Sequence, residues 1–172
     1  GNYDIWLYDL RTDTERRITN ASAQKNPAIS GSLIVYEDSR NNGDIYLYDL
    51  STNTERPIAT SSAIEMSPAV SGDKIVWTNY YNGNYDIYLY DLNTNTERRL
   101  TTDLALQMDP VISGNLVAWT DYRNGNGDIY LYDLDTNTEA EISRESTDVQ
   151  AFPVISNNKI AWSDYRNGNS DI

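Results

Sequence analysis

The sequence has no cysteine and no histidine, and only one phenylalanine and two methionines among its 172 residues. Without cysteine there is neither a disulfide nor a thiol nucleophile, and the compartment is left open. Without histidine the usual hydrolytic triads and histidine-ligated zinc sites are excluded. Basic residues are scarce: 13 Lys and Arg stand against 26 Asp and Glu, a net charge of −13. They form no stripe, and phosphate binding needs clustered cations, so nucleic acid is not an expected partner. No apolar run approaches the roughly 18 residues of a membrane span, so none is expected. An initiator Met and a leader peptide are also missing, and a processed or excerpted segment is expected. The acidic excess favours solubility and suits a salty exterior.

What is present is a repeat. The heptad Asp-Ile-Trp/Tyr-Leu-Tyr-Asp-Leu starts at Asp4, Asp44, Asp86 and Asp128, and its first two residues recur as Asp171-Ile172, giving spacings of 40, 42, 42 and 43. A Thr-x-Thr-Glu turn follows each heptad, ending at Glu15, Glu55, Glu97 and Glu139. A short strand then ends at Ile18, Ile58, Leu100 or Ile142, and a variable segment leads to Pro27, Pro68, Pro110 or Pro153. A tight turn at Gly31, Gly72, Gly114 or Asn157 opens an apolar strand carrying Tyr36, Trp77, Trp119 or Trp162.

Each unit of about 42 residues thus holds four short β-prone runs between Gly, Asn, Pro and Thr breaks. Apolar residues alternate with period two, so Ile45 and Leu47 face one side and Tyr46 and Tyr48 the other. Both faces need cover, which one unit cannot supply for itself. The expectation is an all-β β-propeller of four repeats as four-stranded antiparallel blades over 1–172. The strands are A (Pro27 to Ser30), B (Leu33 to Glu37), C (Asp44 to Leu50) and D (Glu55 to Ala59), with equivalents in the other copies. Pro57 places D at the outer edge, and the aromatic residues of strand B are expected to be buried between blades.

The run Asp121-Tyr-Arg-Asn-Gly-Asn-Gly-Asp-Ile-Tyr-Leu-Tyr-Asp-Leu134, preceded by Trp119, resembles the TolB-type propeller repeat. In particular it resembles the tandem versions in large archaeal and bacterial cell-surface proteins. The resemblance recurs in every copy and implies the propeller fold and an extracellular or cell-surface place; it implies no particular activity, since propellers carry many.

The chain starts at strand C and stops after strand B. Its first C–D pair (Asp4 to Thr19) and last A–B pair (Pro153 to Asp164) either complete one another within one chain or are completed by a second chain. Two chains would form a homodimer closing an eight-bladed ring.

Three kinds of chemistry remain open. Asn124, Asn126 and Asp128 alternate like part of a calcium loop, as do Asn82, Asn84, Asp86 and Asn167, Asn169, Asp171. The sixth-position Gly and the distal acid of that motif are missing, and the same residues suit a hairpin. Asp38 with Arg40, Asp121 with Arg123 and Asp164 with Arg166 occur together, while Asn79 and Tyr81 replace both, as expected of ion pairs. No metal or other cofactor is therefore expected.

Secondly, a glycosidase-like pair of carboxylates needs acids that do not recur in every copy. These are Glu37, Glu65, Asp73, Asp103, Asp109, Glu145 and Asp148, of which Glu65 and Asp109 lie just before strand A. They are expected to be solvated loop acids rather than catalysts.

Thirdly, the D–A and B–C loops share one rim, and the D–A loops diverge in length (8, 9, 9 and 10 residues) and content. Candidate contact residues there are Lys25, Asn26, Glu65, Met66, Met108, Asp109, Ala151 and Phe152, with Met66, Met108 and Phe152 expected on the surface. The reading is a non-enzymatic scaffold for protein or glycan contacts. A carboxylate-based hydrolase or lyase and a purely structural self-assembling unit are its alternatives. Asn20-Ala-Ser22 is a glycosylation sequon.

Overall fold

The structure, a computed structural model, describes residues 2–19, 22–143, 148–166 and 171–172. It is built of antiparallel sheets in chain order. The strands β1 (Trp6–Asp9) and β2 (Thr14–Arg17) form a two-stranded sheet. Three four-stranded sheets follow. The first holds β3 (Gln24–Ser30), β4 (Leu33–Asp38), β5 (Asp44–Asp49) and β6 (Thr54–Ala59). The second holds β7 (Ile64–Ser71), β8 (Lys74–Tyr81), β9 (Asn84–Asp91) and β10 (Thr96–Arg99). The third holds β11 (Gln107–Ser113), β12 (Leu116–Asp121), β13 (Asp128–Asp133) and β14 (Thr138–Glu141). Last comes a two-stranded sheet of β15 (Gln150–Ser156) and β16 (Lys159–Asp164).

The Thr-x-Thr turns work because their central residue takes the left-handed conformation, with φ of 56°, 54°, 54° and 53° at Asp13, Asn53, Asn95 and Asn137. Asp and Asn tolerate that region best among residues with side chains. Pro57 lies on β6, an edge strand, where its missing N–H leaves no hole in the ladder.

The inner strands differ from expectation. Strand A begins three residues before the proline, at Gln24, so the last residues of the expected D–A loops are the first half of a bulged strand. The register shifts between Lys25 and Ala28, Met66 and Ala69, Met108 and Val111, and Ala151 and Val154. The residue before each proline (Asn26, Ser67, Asp109, Phe152) takes a φ between 51° and 56°. The bulge takes up the extra residue, and pairing resumes beyond the proline, which has no N–H to give.

The core lies between sheets. Val35, Ile45, Leu47 and Ile58 of the first four-stranded sheet pack with Val70, Ile75 and Trp77 of the second. Val76, Ile87, Leu89 and Leu100 of the second pack with Ile112, Val117, Trp119 and Tyr130 of the third. Ile5, beside β1, packs on Ile34 and Tyr36. Strand-B aromatics therefore face backwards along the chain: Tyr36, Trp77 and Trp119 are fully buried. Trp162 departs from the expectation for these aromatics and is only half-buried; among the described residues no strand C pairs with β16 alongside the ring.

Candidate functional site

Two repeated features build the rim. The B–C connection of one sheet hydrogen-bonds the first strand of the next: Glu65 N donates to Gly43 O at 3.0 Å, and Gln150 N to Gly127 O at 2.7 Å. Gly127 is needed for that approach, since a Cβ there would lie 2.9 Å from Gln150 O. In addition, a strand-B side chain accepts from the bulge of the following sheet. Thr78 Oγ1 accepts from Asp109 N at 3.1 Å, and Thr120 Oγ1 from Phe152 N at 3.3 Å.

Glu37 occupies that position in the first four-stranded sheet and makes more of it. Its Oε1 accepts from Ser67 N and from Asn26 Nδ2, both at 2.7 Å, and Lys25 Nζ lies 3.1 Å from its Oε2. It joins two sheets beside a cleft of about 370 Å³, lined by Lys25, Asn26, Glu37, Asp38, the turn to Gly43, and Ile64 to Ser67. Four of the eight contact residues expected from sequence, Lys25, Asn26, Glu65 and Met66, meet here. Glu37 was visible only as a non-recurring acid; that it stands where other copies carry Thr78, Thr120 or Ser163 is the signal that could have singled it out.

The other four do not converge on this cleft. Asp109 accepts from Ser67 Oγ at 3.3 Å, Met108 is half-buried, and Ala151 is buried. Met66 is also half-buried, so of the apolar candidates only Phe152, 61% exposed, stands on the surface as expected. Alternation along the bulged strands turns the rest inward.

Glu65 overturns the expectation of a solvated loop acid. It is 1% exposed, its Oε1 accepts from Ser61 Oγ, and its Oε2 has no partner among the described residues. Burial pushes its carboxyl up to about 7, with the Asp44 carboxylate adding to the rise against the Ser61 hydrogen bond. Asp44 is itself fully buried, and burial raises it too. Of the remaining non-recurring acids, Glu37 is also buried, while Asp73 pairs with Lys74 at 2.9 Å. Asp103 accepts from Ala105 N at 2.9 Å. Asp148 is exposed, and Glu145 lies outside the described residues.

The Asp–Arg pairs form clasps. Arg40 Nη2 and Arg123 Nη2 each reach their aspartate at 2.7 Å, and Arg166 Nε reaches Asp164 at 2.9 Å. Burial would raise Asp38, but hydrogen bonds from Arg40, Ser22 and Gln24 outweigh it and hold the carboxyl at about 2. The loop considered for calcium is tied internally. Asn124 Nδ2 donates to Asp128 Oδ2 at 3.0 Å, and Asn126 Nδ2 to Asp148 O at 2.9 Å. Among the described residues no three acidic side chains gather as a metal site. Asn20, Ala21, Asn167 and Asn169 lie outside the described residues.

No protein-family model matches the chain, and no curated protein matches its sequence. Solved structures do. TolB from Acinetobacter baumannii is 26% identical with a TM-score of 0.76, over 92% of this chain and 42% of that one. A chain of the nidogen/laminin complex is 15% identical with a TM-score of 0.68, over 95% of this chain and 67% of that one. Oligogalacturonate lyase from Vibrio parahaemolyticus is 16% identical with a TM-score of 0.74, over 98% of this chain and 54% of that one. The chain thus spans less than two thirds of the TolB and lyase chains. Its stacked four-stranded antiparallel sheets have the TolB-like β-propeller fold.

Proposed function

We propose that this chain is a non-catalytic binding module, a propeller scaffold that contacts a protein or glycan through the rim carrying the bulged strands and the B–C connections. One observation carries the reading: Lys25, Asn26, Glu65 and Met66, picked out because the copies diverge there, line a single cleft together with Glu37. Lys25 and Ile64, both exposed, line it, the mixture on which polar and apolar contacts combine. The TolB and nidogen/laminin likenesses support a binding or scaffold role. An extracellular or cell-surface place belongs to the same reading and is supported by the acidic balance, net charge −13.

The test is a titration of isotope-labelled protein with panels of peptides and oligosaccharides, followed by amide chemical shifts. Shifts should centre on Lys25, Asn26 and Met66, and Lys25→Glu should weaken binding about tenfold while the chain still folds, with some fall in melting temperature because Lys25 pairs with Glu37. Shifts confined to the opposite rim, around Asn53 and Asn95, would refute the assignment.

A second reading, a carboxylate-based hydrolase or lyase, draws on Glu37 and Glu65 sharing the cleft and on the lyase likeness. Against it, Asp109, the partner expected for Glu65, does not line the cleft, and the unpartnered Glu65 oxygen is shut away from solvent.

A further inference from the structure

The clasps of the first and third four-stranded sheets hold a guanidinium in the same way. Arg40 Nη2 lies 2.7 Å from Asp38 and 3.2 Å from Glu55, with the guanidinium 3.9 Å over the Tyr46 ring. Arg123 Nη2 lies 2.7 Å from Asp121 and its Nη1 2.6 Å from Glu139, with the guanidinium 4.2 Å over the Tyr130 ring. Each site is a strand-B acid, a strand-C ring and a strand-D glutamate around one flat cation.

The second four-stranded sheet keeps the same positions in the same register and lacks the cation. Tyr88 pairs with Trp77 as Tyr46 does with Tyr36 and Tyr130 with Trp119. Glu97 pairs with Tyr90 as Glu55 does with Tyr48 and Glu139 with Tyr132. Asn79 pairs with Asp86 as Asp38 does with Asp44 and Asp121 with Asp128. Tyr81, 56% exposed, replaces the arginine. Among the described residues no arginine lies over the Tyr88 ring. Arg99, across the strand pair from Tyr88, reaches Asp86 at 2.7 Å instead. Glu97 has no ion pair among the described residues, and desolvation raises its carboxyl with no cation to oppose the rise. Asn79 is 6% exposed, and its side chain makes no hydrogen bond among the described residues. An amide oxygen, a ring and a carboxylate are therefore set for a guanidinium that the chain itself does not supply.

We propose that this site binds a guanidinium from another molecule, an arginine side chain of a partner protein, over Tyr88 and between Asn79 Oδ1 and Glu97. The planar fork stacks on a ring and donates to two acceptors at once, which a lysine ammonium does not match. The net charge of −13 favours a cationic partner. Asn79, Tyr88 and Glu97 do not line the cleft described above, so the inference stands independently of it.

The experiment titrates isotope-labelled protein with N-acetylarginine methylamide, which mimics an arginine within a chain, and follows the Trp77 indole N–H and the amides of Tyr88 and Glu97. Saturable shifts should centre on these groups. N-acetyllysine methylamide should bind at least about fivefold more weakly, and Glu97→Gln should weaken the arginine probe by at least about fivefold. Tyr81→Arg supplies the guanidinium from within and should abolish the shifts. Tyr81 and Glu97 are both exposed, so both variants should keep the folded circular dichroism spectrum. Free L-arginine should bind no more tightly than the capped form; tighter binding would assign the site to the free amino acid and overturn the protein partner. Shifts confined to Lys25 and Met66, equal binding of the arginine and lysine probes, or an affinity unmoved by both variants would also overturn the proposal.

Discussion

Glu65 pairs across strands with Asn79, where the other three copies set a glutamine against an aspartate: Gln24 with Asp38, Gln107 with Asp121, and Gln150 with Asp164. Acid and amide have changed places, and the arginine that accompanies each aspartate has gone, Tyr81 standing there instead. All three glutamines are buried to 1% exposure or less, as is Glu65. A protonated glutamate is nearly isosteric with glutamine, which explains why the site accepts it. The exchange also leaves Trp77 Nε1 without a partner among the described residues, whereas Trp119 Nε1 donates to Asp121 at 2.9 Å.

This exchange makes stability depend on pH in one window. Glu65 titrates near 4.5 in the unfolded chain and near 7 when folded. Between those values the folded state keeps a proton that the unfolded state has lost, so stability falls as pH rises and levels off above about 7. Glu65→Gln should abolish that slope and gain roughly 1–3 kcal/mol at pH 8. Urea denaturation from pH 4 to 8 measures it; parallel curves for the two proteins would show that Glu65 does not hold its proton.

The strand-B aromatics should differ in weight by position. Trp119→Ala removes a fully buried ring between two sheets and should cost about 3–5 kcal/mol. Trp162→Ala, at the half-buried position on β16, should cost roughly 1–2 kcal/mol in the single chain, in proportion to the smaller area covered. Chemical denaturation at low protein concentration makes the comparison, and equal losses would contradict the packing described.

Arginine rather than metal should hold the B–C connections. Asp121 is fully buried and Arg123 is its cation, so Arg123→Ala should cost about 3 kcal/mol by leaving a buried charge uncompensated. A calcium chelator should leave the melting temperature unchanged. A sharp fall on chelation would mean that Asn124, Asn126 and Asp128 bind a cation after all.

The repeat carried most of the fold. Period-two heptads, left-handed Asn in the Thr-x-Thr turns and proline on edge strands each specify a local geometry, and the coincident loss of Asp and Arg in the second copy announced an ion pair. The bulges were hidden because a strand that bends at Asn26 or Ser67 reads like a polar loop until its partners are known. The burial of Glu65 was legible in principle, since alignment on the prolines puts it on three glutamines, but a carboxylate on its own reads as solvated. Convergence of Lys25, Glu37 and Met66 required the packing of two sheets, which no single repeat encodes.

The claim of a binding module without catalysis is tested most directly by turnover assays on polysaccharide and peptide panels, run in parallel on the wild type and on Glu65→Gln. Glycosidic chemistry needs two carboxylates about 5–9.5 Å apart with substrate between them, and Glu65 is closed off by Ser61 and its neighbours. The account predicts no turnover by either protein and, for any ligand that binds the cleft, affinity changed less by Glu65→Gln than by Lys25→Glu. Measurable hydrolysis or elimination that disappears in Glu65→Gln would contradict it and make Glu65 a catalytic residue.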